Sequence, residues 1–515
     1  MSRFGTRIAS GTLMLLLTVV VILVVGVQPA ESEVKTIVVP DEYPTIQEAI
    51  NAASEGDTIF VKRGIYRETL VINKSITLAG ASLQDTVIDG YGIVGSGWIR
   101  AVLFNVTSND VIIEGFTIQR GSIGVYCSTI NVTIQDNIII DNDINGILLE
   151  FSSYSWETVV RQLPSNNTIS GNNVTGHDYG DITLIGSSYN TITGNNVGYV
   201  FLGCAFNLTK IQQQEGEIQL FNSSYNTFSG NNLTEGFWLY GEPLPPEVDP
   251  DLAEGLYGVA YNTFAGNVAG FYLDKVAYNT ISGNNITGAD GPGVQMLNSS
   301  YNTLTGNSII ANEVGVTLND SSYNTISGNT VASNGEGIKL DGSSHNTLTG
   351  NDITNNTGTA FLWPAGLWLN NSSYNTISVN NMADNRDYVI TLRNSHNNMI
   401  FHNNFVNTVW GVYVSTDSVN IWNDDYPSGG NYWSDYGGAD EKSGPDQDQP
   451  GSDGIGDTSY IIDSNNRDWY PLTNPIVIPE YSSFLILPLF MISTLLAVIV
   501  YKRKHTSKVN RIVTC

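Results

Sequence analysis

The ten residues SSYNTISGNT at 321–330 recur with small edits along the chain. Copies include SSYNTITGNN at 187–196, SSYNTFSGNN at 223–232, SSYNTLTGNS at 299–308, SSHNTLTGND at 343–352 and SSYNTISVNN at 372–381. Self-similarity at a short period limits a chain to architectures in which one small unit is stacked many times. Aligned on the residue after the aromatic, the copies are anchored at Asn167, Asn190, Asn226, Asn262, Asn279, Asn302, Asn324, Asn346, Asn375 and Asn398. Two degenerate copies at Val111 and Val132 precede them. The unit is about 22–23 residues, lengthened by about a dozen in three places.

Two residues after each anchor stands an apolar residue, such as Ile192, Phe228, Ile326 or Ile377, and five after it, in nearly every copy, an Asn. Later comes Gly-apolar-x-apolar, as GVTL at 315–318, GIKL at 337–340 and GLWL at 366–369. This is period-2 writing in β-branched residues with Gly and Asn as punctuation and almost no helical segment. A leucine-rich repeat of similar length needs several Leu per unit and a helical return, which are lacking. The pattern predicts an all-β parallel β-helix of about a dozen coils, its strands stacked about 4.8 Å apart. Ile then lies on Ile, Asn passes amide hydrogen bonds along a ladder, and Gly194, Gly230, Gly283, Gly306 and Gly328 supply positive-φ turns. Tyr189, Tyr225, Tyr261, Tyr278, Tyr301, Tyr323 and Tyr374 form an aromatic stack. PTIQEAINAASEGD at 44–57 reads as an amphipathic capping helix, with Thr45 as its N-cap.

The two ends read as membrane-directed. Residues 1–30 combine Arg3 and Arg7 with an apolar run at 12–27 and suit a cleaved signal, an uncleaved anchor being the alternative. Residues 482–501 carry no charge and are followed in the tail 502–515 by Lys502, Arg503, Lys504, Lys508 and Arg511, a transmembrane segment with a cytoplasmic basic tail. Between lie a cap and first coils at 31–90, repeats at 91–428, an Asp- and aromatic-rich module at 429–473 and a linker at 474–481. Sequons such as Asn232, Asn285, Asn298 and Asn371 agree with an exported, glycosylated surface. Cys127 and Cys204 give no disulfide framework, and Cys515 falls in the tail. The net charge of −27 becomes more negative still without the basic tail. Such a surface repels nucleic acid and anionic lipid and favours cations.

The cap segment TIQEAINAASEGDTIFVKRGIYRETLVINKSITLAG, the YNTISGNN coils and GGNYWSDYGGAD with DGIGDTSYIIDSNNRDWYPL at 429–472 together resemble the NosD-type right-handed parallel β-helix proteins, over roughly residues 35–473. These belong to a carbohydrate-binding and sugar-hydrolysis repeat group. The ending IPEYSSFLILPLF resembles the anchors of archaeal-type cell-surface proteins. The resemblance implies the right-handed fold and, for the name-giving member, copper delivery to an exported reductase. Copper is not expected from the residues: HNNMIFH at 396–402 is the sole cluster of soft ligands, and His345 and His402 occupy a Tyr and a Gly position of the repeat.

Three candidate sites follow. The outward residue of Gly-apolar-x-apolar is Thr183, Gln219, Tyr272, Gln295, Thr317, Lys339, Trp368, Thr391 or Tyr413. Of these Tyr272, Gln295, Lys339, Trp368 and Tyr413 make a platform for glycans. A glycosidase needs two carboxylates about 5–10 Å apart across one sugar, and no such pair stands in that column. His177, Asp178 and Asp181 in GHDYGD are the catalytic candidates, as base and acid. Asp446, Asp448, Asp453 and Asp457 in DQDQPGSDGIGD are candidate ligands for a structural calcium. Gly64, Tyr66 and Glu68 are similar to a pectinesterase segment but read as part of the cap, and 235–258 as a projecting acidic insertion. The sequence thus points to a surface-anchored protein binding surface or environmental glycans. The alternatives are a carbohydrate-active enzyme (lyase, hydrolase or epimerase) and a copper-delivery protein.

Overall fold

The computed structural model describes residues 34–93, 101–150, 164–178, 180–203, 223–241, 259–357, 365–407 and 410–478. The expected signal and the apolar segment 482–501 lie outside them. No helix among the described residues is long and apolar enough to cross a membrane.

Each coil begins with a three-residue strand such as Thr325–Ser327, in which Ile326 is buried between a half-buried Thr and Ser. Alternation alone dictates this, because successive side chains leave a strand on opposite faces. The strands pair in parallel with equivalent letters opposed: Ile281, Leu304, Ile326, Leu348, Ile377 and Ile400 stand in one register column. All six are fully buried. Among the described residues fifteen strands make this first sheet, from Thr36–Val39 to Met399–Phe401. That exceeds the dozen expected, because Thr36–Val39, Thr58–Val61 and Thr77–Gly80 add coils that carry neither the Asn anchor nor the Tyr.

A second face carries short strands, among the described residues Thr117–Gln119, Ile138–Ile140 and Asn173–Thr175 upstream and seven more from Asn285–Thr287 to Tyr432–Trp433. A third carries longer ones, among them Pro292–Leu297, Val314–Asn319, Glu336–Asp341, Ala365–Asn370 and Tyr388–Arg393, again in parallel register. In two lengthened coils the second and third strands run together, as Asn196–Gly203 and Asn232–Tyr240. Between the faces Phe228, Phe237, Phe264 and Phe271 pack as stacked and edge-to-face pairs with centroids 4.9–5.6 Å apart.

At the turns, buried Asn side chains run in ladders. The backbone N–H of Asn351 donates to Oδ1 of Asn380 at 3.0 Å, and its Nδ2 donates to the same atom at 2.9 Å and to the Ile326 carbonyl at 2.9 Å. One ladder runs from Asn137 to Asn431, another from Asn167 to Asn420. A third, unforeseen in the sequence, joins Asn312, Asn334, Asn356 and Asn385 ten residues after the anchors. Beside them the expected aromatic stack forms, from Tyr189 to Tyr374 with His345 in line, neighbouring centroids 4.9–5.3 Å apart. The tyrosines themselves sit at positive φ, near 60°, which the sequence did not reveal. The Gly turns do too: Gly283 has φ 62°, with nothing within 4 Å of where a Cβ would lie. Val379 holds the same turn at φ 60°.

Both ends are closed. The helix Ile46–Ala52, shorter than 44–57, buries Ile46, Ala49 and Ile50 over the first coils. Thr45 accepts from the N–H of Glu48, as an N-cap does. Glu68 accepts from the N–H groups of Ile46 and Gln47, both at 3.1 Å. At the far end DSNNRD terminates the ladders. Asn466 Oδ1 accepts from the Asn420 N–H at 2.9 Å, and Asp468 Oδ2 from the Asn431 N–H at 2.7 Å and Trp433 Nε1 at 2.9 Å. Burial pushes the Asp468 carboxyl up to about 6, against the donors of Asn431, Trp433 and Tyr470 that pull it down.

Two outcomes are expected. Val379→Gly relieves a β-branched residue in the left-handed region and raises stability by about 1 kcal/mol, read as a higher urea midpoint. Asp468 binds its proton more tightly folded than unfolded. Its contribution is therefore full below the unfolded pKa near 3.8 and is lost as pH rises through about 6. Between pH 4 and 7.5 stability falls by about 2–3 kcal/mol on this account, and Asp468→Asn flattens that slope in urea titrations.

Candidate functional site

The outward residues of the third face form one register column. Tyr272, Gln295, Thr317, Lys339, Trp368, Thr391 and Tyr413 lie directly opposite one another in successive strands. The five residues expected to make a glycan platform thus share a face, broken by the two threonines. Gln219 lies outside the described residues. Upstream of Tyr272 the column holds Trp238 and then Phe201. In the coil anchored at Asn190, where Gln219 was expected, the register places Phe201, and GFWL at 236–239, expected within a projecting insertion, runs in the strand Asn232–Tyr240 instead. Trp238 stacks on Tyr272 with centroids 4.8 Å apart. The acidic part of the insertion, 242–258, lies outside the described residues.

The rings carry cations. Lys339 Nζ sits 4.7 Å from the centroid of Trp368, and Arg393 Cζ 5.5 Å from that of Tyr413, both within cation–π range. At the C-terminal end of the face Tyr388 lies 5.4 Å from Trp410 and 5.7 Å from Tyr413, with Trp410 57% exposed. Neither Tyr388 nor Trp410 falls at the outward position of the repeat, so sequence spacing missed both. Carboxylates are present but offset. Asp274 and Asp341 share the neighbouring column, with Leu297 and Asn319 between them. Three coil steps amount to about 14 Å, too far to act across one glycosidic bond.

The candidate acid–base cluster divides. Asp178 is exposed. His177 and Asp181 are buried, and their side chains hydrogen-bond through His177 Nδ1 and Asp181 Oδ1. His177 Nε2 faces the amide of Asn142 at 3.2 Å. Asn142 Oδ1 is already taken by the Gly121 N–H, so its amide donates and Nε2 accepts. His177 stands ten residues after the anchor Asn167, where the third ladder places Asn in other coils. It continues the ladder as an imidazole, held out of reach of a polymer.

The acidic loop is built differently from a metal cradle. Asp453 accepts from the Gly444 and Ile455 N–H groups, Asp457 from those of Glu441 and Lys442, while Asp446 and Asp448 point to solvent. Asp440 accepts from Ser452, Asp453, Gly454 and Thr473. Desolvation opposes these donors, yet they hold its carboxyl below the ordinary value. Among the described residues no three His, Cys, Asp or Glu side chains converge as a metal site. Asp453 and Asp457 staple the loop.

The family model described as periplasmic copper-binding protein (NosD) matches residues 50–241, 256–362 and 364–438, well over half of the chain. The chain belongs to the NosD family. A cell surface glycoprotein of Methanothermus fervidus is 31% identical over 134 residues, covering 24% of this chain and 21% of the relative. A probable pectinesterase/pectinesterase inhibitor of Arabidopsis thaliana is 35% identical over 89 residues, 15% of this chain and 16% of the relative. The chain thus spans about a fifth or less of each curated relative. Among solved structures, the tailspike protein of E. coli bacteriophage HK620 in complex with a pentasaccharide overlays with a TM-score of 0.47 at 11% identity, covering 74% of this chain and 78% of that one. The A-module of an Azotobacter vinelandii mannuronan C-5 epimerase overlays with a TM-score of 0.34 at 15% identity, covering 73% and 94%. Overlaps this low leave the architecture resting on the strand register itself.

Several soft ligands of this NosD-family chain are taken up by the scaffold. Met296 and Met382 are core residues, and His345 is stacked between Tyr323 and Tyr374. His402 Nε2 donates to the Ser428 carbonyl at 2.8 Å. A structural role for the buried imidazole pair sets the expected cost of its loss. Asp181→Ala strands a buried ring N–H and lowers stability by about 2–3 kcal/mol, whereas Asp178→Ala changes it by less than about 0.5 kcal/mol; urea midpoints of the two variants check this.

Proposed function

We propose that this protein is a cell-surface glycan-binding β-helix, held at the membrane by the apolar segment 482–501 and binding oligosaccharides along the third face. The reading is carried by one observation: aromatic, cationic and amide side chains from Trp238 to Tyr413 share a single outward column of successive coils. A row of rings and donors repeating every coil suits an extended saccharide, whose apolar ring faces pack on aromatics and whose hydroxyls need polar partners. The likeness to a cell surface glycoprotein supports the location. Asp274 and Asp341, in the column next to the outward one, stand too far apart to flank one glycosidic bond, and turnover is what separates binding from cleavage.

Glycan-array binding by the full chain tests it, with a reducing-sugar and unsaturated-product assay on any bound oligosaccharide. The expected result is binding without turnover, weakened roughly tenfold or more in Trp368→Ala and in Tyr413→Ala. Turnover moves the protein to the enzymes, and an array with no bound glycan removes the reading altogether.

A further inference from the structure

Buried polar atoms without a partner are rare in folded chains, and each needs a reason. Here they gather on one face. Thr317 Oγ1, Glu336 Oε2 and Thr391 Oγ1 are buried with no hydrogen-bond partner, in side chains 6%, 7% and 0% exposed. Asp274 Oδ1 and Asn105 Oδ1, on the same face, share this state; Gln447 Oε1, in the terminal module, is the exception off it among the described residues. Thr317, Lys339, Trp368 and Thr391 follow one another in register, and Glu336 stands three residues before Lys339 on the same strand.

We propose that Thr317, Glu336, Lys339, Trp368 and Thr391 form one sugar subsite, taking a neutral pyranose whose hydroxyls complete the hydrogen bonding of Glu336 and the two threonines. The proposal rests on the reading that this face binds glycans. Lys339 is the movable cover. Its ammonium lies over the Trp368 ring on a long flexible stem, and swinging it aside bares a ring face for the sugar and the polar atoms behind it. A carboxylate accepting from a hydroxyl makes a charge-assisted bond, and Thr both gives and takes. The charges select against other sugars. Glu336, with Glu313 in the coil before, repels a uronate, and Lys339 repels an amino sugar. Burial raises the Glu336 carboxyl, Lys339 pulls it down and Glu313 adds to the rise, the electrostatics of an acid kept from water.

The test sets arrays of neutral, uronate and amino-sugar oligosaccharides against the full chain and the near-isosteric variants Glu336→Gln and Thr391→Val, with melting temperatures recorded alongside. The expected result is preference for neutral sugars and roughly tenfold weaker binding in each variant. The Tm is unchanged in Glu336→Gln and raised in Thr391→Val, since Val removes a buried unsatisfied hydroxyl. A merely structural role for these groups moves Tm and not affinity. Wild-type affinity in both variants, or preference for a uronate or an amino sugar, overturns the subsite. Binding kept by both variants but lost in Trp410→Ala overturns the subsite while leaving the glycan reading intact, and no glycan bound by the full chain overturns both.

Discussion

Coil-to-coil hydrogen bonding by buried asparagine is the interaction on which the fold depends. A coil of this size encloses a core only a few side chains wide, so its turns cannot all face water. Turn backbone is buried between neighbouring coils, where every N–H and C=O needs a partner. Asn meets that demand with one side chain. Asn351 takes two hydrogen bonds on Oδ1 from the coil before, and its own N–H and amide reach the coil after and a carbonyl of the coil before. Because each ladder step concerns only the next coil, a lengthened connection is tolerated wherever both flanking Asn stay in place. The step from Asn190 to Asn226 spans 36 residues and keeps its 3.0 Å bonds.

That local rule explains what could be read from letters alone. The Ile column, the positive-φ glycines and the tyrosine stack are stated in each copy, and stacking adds only alignment. What escaped reading were features that do not repeat as letters. The coils at 36–80 have the shape of the later ones without their Asn or Tyr. Gln219 was expected where the register places Phe201, and Trp238 was read into a projecting insertion, because register across a lengthened coil is a property of the stack. The closure of the ladders was not read either: Asn466 and Asp468 end them, and Asp463 holds Asn466 in place.

His177 shows how a scaffold position can imitate chemistry. A His, an Asp and another Asp in a Gly-rich loop carry the composition of an acid–base site. In the stack, the imidazole replaces a ladder amide: Nε2 takes the place of Oδ1 as acceptor, and Asp181 receives the remaining ring proton. The converse holds on the third face. There the scaffold constrains only that strands pair, so the outward column is free to vary, and it reads Tyr, Gln, Thr, Lys, Trp, Thr, Tyr. The uniform tyrosine stack presents ring edges, since each face is covered by a neighbour. Side-chain diversity lies where stacking asks least of the residue.

The same lattice restricts what chemistry the face supports. Outward groups in one column recur only at multiples of about 4.8 Å, so two carboxylates can flank one glycosidic bond only from adjacent or next-but-one coils. Beside Asp341 the next coil places Asn370, whose amide donates to Asp341 Oδ1 at 2.8 Å. An acid there would stand about one coil step from Asp341; the amide quenches it with a hydrogen bond instead. With Leu297 and Asn319 filling the column back to Asp274, the nearest carboxylate in line is three steps away. That column therefore holds its two carboxylates singly, Asp341 beside an amide and Asp274 beside Lys275, while Glu313 and Glu336 stand on neighbouring coils at the strand starts.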